Sequence, residues 1–115
     1  MSAHIALLCF GSNLPTPSTL IGAVQATKYL GVWIEKGKIW HTPDYTSATA
    51  SYYYNKVVLL STTCTAEELR RQCKVIETLW GRTPDSKDKG IIPIDIDIIS
   101  YDGVVLKVLP DFLLI

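Results

Sequence analysis

The spacing of apolar and polar positions along the chain marks out alternating strands and helices. Residues 4–10 form a short apolar run that ends at Gly11, Ser12 and Asn13, which predicts a buried strand followed by a turn. Pro15, Thr16, Pro17 and Ser18 set up a helix start, with Thr16 as N-cap and Pro17 at the first helical position. Leu20, Ala23, Val24 and Thr27 recur at helical spacing, and Gly31 stops the helix. Residues 32–41 are rich in β-branched and aromatic side chains and predict a strand with a polar kink at 35–37. A polar loop spans 42–52 and contains Pro43 and Asp44, and residues 53–62 run back as a further strand.

Thr65, Ala66, Glu67 and Glu68 spell a capping box, in which Thr65 and Glu68 satisfy each other's backbone amides. Leu69, Cys73, Ile76 and Trp80 mark one apolar helical face, and Gly81 ends the helix. A charged loop occupies 82–90. Residues 91–101 predict a strand, and Asp102-Gly103 is a two-residue hairpin turn into a short strand over 104–108. The order β-α-β-β-α-β predicts an α+β, ferredoxin-like single domain over 1–115, with helices packed on an antiparallel sheet.

Composition narrows the function classes. Hydrophobic residues make up 48% and charged residues 19%, which suits a globular core and excludes a disordered chain. The formal net charge is +0, so the basic excess of a nucleic-acid binder is missing. The three cysteines, Cys9, Cys64 and Cys73, lack C-x-x-C spacing and read as reduced packing residues. The apolar run at 5–10 is too short for a signal peptide, and no stretch approaches the roughly 20 residues of a membrane span. The expected setting is cytoplasmic, without a membrane partner.

The sharpest chemical feature is Ile94-Asp95-Ile96-Asp97-Ile98. On a strand, alternate side chains share a face. The three isoleucines then point into the core, and Asp95 and Asp97 stand about 6–7 Å apart on the other face. Acid–apolar alternation also describes an ordinary half-exposed strand. Asp is a poor strand former, however, and adjacent like charges repel unless a cation neutralises them. Magnesium takes one or two carboxylates plus water and phosphate oxygens. Arg82, Lys87 and Lys89 bring positive charge close to that strand, as phosphate ligands or as a solvated loop. Tyr52, Tyr53, Tyr54 and Asn55 offer stacking faces beside an amide, a pairing suited to a flat heterocycle and equally to a strand start. Ser12 and Asn13 read as turn residues, Trp33 and Trp40 as packing residues, and Glu77 as a solvated helix carboxylate.

Together these fragments resemble the 6-hydroxymethyl-7,8-dihydropterin pyrophosphokinases. The shared pieces are Gly11-Ser12-Asn13-Leu14, Thr42-Pro43, Tyr53 and Asn55 with Val57-Val58, and Thr65-Ala66-Glu67-Glu68-Leu69. Ile76-Glu77, Gly81-Arg82, Gly90, the acidic strand, Tyr101 and Gly103 complete the set. The resemblance implies transfer of the terminal diphosphate of ATP to the pterin hydroxymethyl group, releasing AMP, in folate biosynthesis. It implies that Asp95 and Asp97 hold two Mg²⁺ ions between ATP and the substrate hydroxyl. Asn55 then hydrogen-bonds the pterin edge, with Thr42 nearby through its backbone, Pro43 opening the loop and Tyr53 packing at the pterin. Arg82 touches the phosphates from a mobile loop, and Glu77 helps order the nucleotide region.

The pattern also departs from that family. An expected arginine is replaced by Ile92, a second by Pro84, and a nearby tryptophan by Lys89. Lys87 and Lys89 are the candidates to take over phosphate contacts. Asp111 stands where a phosphate-binding histidine belongs, Phe112 is a candidate aromatic clamp, and the chain reads as a C-terminally short member. The apolar segment 112–115 is expected to pack on the sheet or to join a homo-oligomer. The alternatives are a degenerate relative that binds nucleotide or pterin without transfer, and a ferredoxin-like interaction module.

Overall fold

A computed structural model of the protein describes residues 2–43 and 52–108. Most of the expected polar loop, together with Asp44, Asp111, Phe112 and the apolar segment 112–115, lies outside the described residues. Strand β1 (His4–Ser12) leads to helix α1 (Ser18–Ala26) and a 3₁₀ turn at Thr27–Tyr29. Strands β2 (Val32–Lys36), β3 (Trp40–Pro43) and β4 (Tyr52–Thr62) follow. Helix α2 (Ala66–Leu79), the short α3 (Ser86–Lys89), β5 (Asp95–Tyr101) and β6 (Val104–Val105) complete the order.

The six strands form one antiparallel sheet in the order β2-β4-β1-β5-β6, with β3 also pairing with β4. The kinked strand expected over 32–41 is thus β2 and β3 in succession along β4. Gly37 sits at the break and donates its N–H to Val57 O at 2.9 Å. The core lies on one face of the sheet. Leu8, Phe10, Val58, Leu60 and Ile96 meet Leu20 and Ala23 of α1 and Leu69 and Cys73 of α2. The fold is therefore α+β and ferredoxin-like, as the element order implies.

Helix α2 begins with the expected reciprocal cap: Glu68 N–H donates to Thr65 Oγ1 at 3.1 Å, and Thr65 N–H to Glu68 Oε1 at 3.0 Å. Its end is a Schellman turn. Gly81 takes φ +103°, Gly81 N–H donates to Thr78 O, and Arg82 N–H donates to Glu77 O at 3.0 Å. Helix α1 is entered differently from the expectation. Pro17 is its N-cap residue without a side-chain cap, and Thr16 instead pairs its hydroxyl with that of Ser18. Trp80, expected on the buried face, remains 38% exposed because its ring lies at the helix end, covering Gly22. Part of the charged loop winds into α3, and the strand expected over 104–108 is only the two residues of β6.

Two register shifts bend the sheet. One lies in the β1–β5 ladder, where Leu8 faces Ile98 and Leu7 faces Ser100, leaving Ile99 as the extra residue. Ile94 and Ile96 face the core as the alternation predicts, and Ile98 packs at its margin. Past the bulge the alternation flips, so Tyr101 packs against the core and donates its hydroxyl to Cys64 O at 2.6 Å.

The cysteines behave as packing groups. Burial pushes the thiols of Cys9 and Cys73 up to about 12. Nucleophilic attack requires the thiolate. Alkylation of the native protein at pH 8 is therefore expected at the half-buried Cys64 first, with Cys9 and Cys73 reacting only on unfolding. Mass-spectrometric mapping of the labelled thiols reads this order directly.

Candidate functional site

The helix-free face of the sheet gathers the predicted site residues into rows. Residues directly opposite each other on paired strands share a face. The register aligns Trp40, Asn55, Gly11 and Asp95 across β3, β4, β1 and β5. The neighbouring row runs Val57, Cys9, Asp97, and Thr42 stands opposite Tyr53 on the other side. Asp95 and Asp97 therefore do share one face, and Asn55 lies two strands from Asp95, about 10 Å in strand spacings.

Gly11 opens the space between them. A Cβ at Gly11 would sit 3.5 Å from Asn55 Oδ1 and 3.6 Å from Tyr53 Cδ2. The amide oxygen and the tyrosine ring thus border a groove floored by bare backbone. Asn55 is oriented from behind by Nδ2 donating to Thr42 Oγ1 at 2.7 Å and to Tyr53 O at 3.3 Å. Thr42 accepts this bond through its hydroxyl. Pro43 continues β3 opposite Tyr52. Alanine fits at Gly11 as ordinary contact, whereas a larger side chain fills the groove. The pterin that the resemblance implies for this groove is expected to bind Gly11→Val at least tenfold more weakly, while the melting midpoint shifts only slightly. Gly11→Ala stays near wild type, and calorimetric titration of both separates groove filling from misfolding.

At the acid pair, every cation contact is charge-assisted. Arg82 Nη1 donates to Asp95 Oδ1 at 2.8 Å, to Ile94 O at 3.3 Å and to Glu77 Oε2 at 3.4 Å. Lys107 Nζ donates to Asp97 Oδ2 at 2.9 Å, and that contact holds the ammonium above its usual range. Beneath the pair, Cys9 is buried, and the charges of Asp97 and then Asp95 add to the effect of burial on its thiol. The second carboxylate oxygen of each aspartate has no hydrogen bond among the described residues.

The donor chemistry fits magnesium held jointly with a polyphosphate. No group of three or more metal-ligating side chains occurs among the described residues. Two hard carboxylates with free oxygens supply what Mg²⁺ takes from a protein when phosphate oxygens complete its shell. Beside Asp97, a cleft of about 240 Å³ opens between α2 and the edge of β5, with Arg70, Lys74, Ile98, Leu106 and Lys107 along its walls.

Other expected residues lie elsewhere. Lys89 pairs with Asp85 at 2.9 Å on the surface of α3, and Lys87 is exposed on the same short helix without an ion pair among the described residues. Ile92 is 8% exposed and bound through its backbone to Asn13, whose Oδ1 accepts Ile92 N–H at 2.7 Å and whose own N–H donates to Ile92 O. Asn13 is thus a bracket holding the approach to β5. Glu77, expected in solvent, is 2% exposed. Lys107 was missed. Its signal lay in the hairpin: counting back from the Asp102-Gly103 turn brings residues 107–108 alongside 97–98.

A family model for 7,8-dihydro-6-hydroxymethylpterin-pyrophosphokinase (HPPK) matches residues 7–114. No curated protein matches the chain. Members of that family move pyrophosphate from ATP to hydroxymethyldihydropterin in folate synthesis. The match begins inside β1 and covers every later described strand and helix, including the rows that carry Asn55, Gly11 and the acid pair, and the chain belongs to the HPPK family.

Proposed function

We propose that this chain transfers diphosphate from ATP to 6-hydroxymethyl-7,8-dihydropterin with Mg²⁺, releasing AMP, as a cytoplasmic enzyme. The observation that carries this reading is the row Asn55–Gly11–Asp95, which sets an oriented amide and a carboxylate pair along one open groove. Asn55, backed by Thr42 and flanked by Tyr53 and Pro43, holds the pterin edge. The hydroxymethyl group then points along the row toward Asp95. The nucleotide occupies the cleft between α2 and β5, with Arg82 and Lys107 on its phosphate side, Glu77 buried behind Arg82, and Lys87 and Lys89 on α3 outside its walls.

Asp95 and Asp97 would hold two Mg²⁺ ions, which supply charge neutralisation on the phosphates and orientation of the attacking oxygen. With those carboxylates engaged, Arg82, still anchored by Glu77, and Lys107 would have donors for the phosphate oxygens. The hydroxymethyl oxygen bonds to the β-phosphorus and loses its proton to water, the bond from the β-phosphorus to the bridging oxygen breaks, and AMP carries that oxygen away. Arg82, a planar fork, meets the developing charge, and Lys107 adds a point charge.

The test mixes purified chain with ATP, Mg²⁺ and the hydroxymethyl-dihydropterin and measures AMP by chromatography. Release that requires both Mg²⁺ and pterin is expected. No AMP above background overturns the proposal. Saturable Mg²⁺-dependent ATP binding would then identify a nucleotide-binding relative, and self-association without ligand binding an interaction module. Sedimentation of the same preparation reads the homo-oligomer expected from segment 112–115.

A further inference from the structure

Glu77 is a buried carboxylate on the core-facing side of α2, a position where the helical pattern calls for an apolar residue. A buried charge is costly unless it is paired and hydrogen-bonded. Its bonds converge on one place. Oε2 accepts the N–H of Ile96 at 2.8 Å and lies 3.4 Å from Arg82 Nη1, while Oε1 is 3.3 Å from Lys74 Nζ. Ile96 is the residue between Asp95 and Asp97. Among the described residues β5 has no outer neighbour there, because β6 pairs only with Ser100 and Tyr101. Glu77 therefore takes the hydrogen bond that a further strand would otherwise supply.

The same carboxylate holds Arg82 from a second direction. The Schellman turn bonds Arg82 N–H to Glu77 O, and the guanidinium folds back over Glu77 Oε2, Ile94 O and Asp95 Oδ1. Residues 94, 95 and 96 are thereby stapled to the end of α2. We propose that Glu77 is a positioning residue that fixes the orientation of the Asp95/Asp97 pair and retains Arg82 beside it when Asp95 turns to a cation. This rests on the transferase reading above.

Glu77→Gln keeps the shape and an acceptor for Ile96 N–H but removes the charge that retains Arg82. Glu77→Met removes both. For Glu77→Gln we expect a 10- to 100-fold lower kcat, an unchanged pterin KM and a higher Mg²⁺ requirement, on the scale of a lost charged contact. The Ile96 amide stays protected from hydrogen exchange in Glu77→Gln and becomes exposed to it in Glu77→Met. Arg82→Ala costs less in the Glu77→Gln background than in wild type, because the two act as a unit. Wild-type kcat and Mg²⁺ dependence in Glu77→Gln, or additive losses with Arg82→Ala, overturn the proposal even if the melting point falls. A wild-type chain that releases no AMP ends the transferase reading instead. The Glu77 proposal then turns on Ile96, and slow exchange of that amide in Glu77→Met overturns it.

Discussion

Asp97→Ala and Asp95→Ala are each expected to cut AMP release by about three orders of magnitude or more, close to 4 kcal/mol of transition-state stabilisation at ~1.4 kcal/mol per decade. The expectation follows from how few groups share the task. Phosphoryl transfer asks the protein mainly for positioning and charge neutralisation, and among the described residues two carboxylates are the acids on this face of the groove. Stability should barely move. The ion pairs with Arg82 and Lys107 are partly exposed, with Asp95 at 40% and Asp97 at 32% side-chain exposure. Such pairs contribute ~0–1 kcal/mol. Removing one of two adjacent like charges also relieves repulsion across the strand. Steady-state AMP assays paired with thermal melts check both halves. A variant that keeps a tenth of wild-type turnover would remove the acid pair from the mechanism.

The parts of this site that were legible in the sequence are those with a short-range signature. Strand alternation placed Asp95 and Asp97 on one face, because two residues of spacing need no knowledge of the neighbours. The cap of α2 and the Asp102-Gly103 turn were legible for the same reason; both turn residues take positive φ, 49° and 82°. What escaped depends on partners distant in the chain. The bulge at Ile99 has no pattern of its own, so the flip that brings Tyr101 to the core was invisible. Glu77 read as solvated because its partner is the backbone amide of Ile96, which no side-chain pattern reveals. α3 has four residues and no apolar face, so its charged sequence looked like a loop. Lys107 reaches Asp97 only through the hairpin, and residue spacing within one strand cannot show it.

Gly31→Ala should be the most damaging single methyl in the described chain, with a loss of about 3 kcal/mol or more and a melting midpoint lower by on the order of 10 °C. A Cβ at Gly31 would lie 2.0 Å from Ser61 O, 2.9 Å from Ser61 C and 3.1 Å from Thr62 Cα. All three are backbone atoms of β4, so no rotamer change relieves the clash. The surroundings are tied as well. Thr62 Oγ1 donates to Leu30 O at 2.6 Å, Trp33 Nε1 donates to Thr27 Oγ1 at 2.9 Å, and Val32 pairs with Ser61. The chain leaving the 3₁₀ turn therefore cannot back away from β4 without breaking the bonds that seat β2. Gly90 offers the control. It takes φ +71° with nothing within 4 Å of its added Cβ, so Gly90→Ala carries only the conformational cost of about 1 kcal/mol. Ser61 lies six residues along β4 from Asn55, about 20 Å away. The folded fraction of Gly31→Ala should accordingly keep its pterin KM, the reverse of the aspartate variants, which stay folded and lose turnover. Denaturation curves read beside kinetics per folded molecule test that separation. A shifted pterin KM in Gly31→Ala would mean that the two ends of the sheet are mechanically coupled.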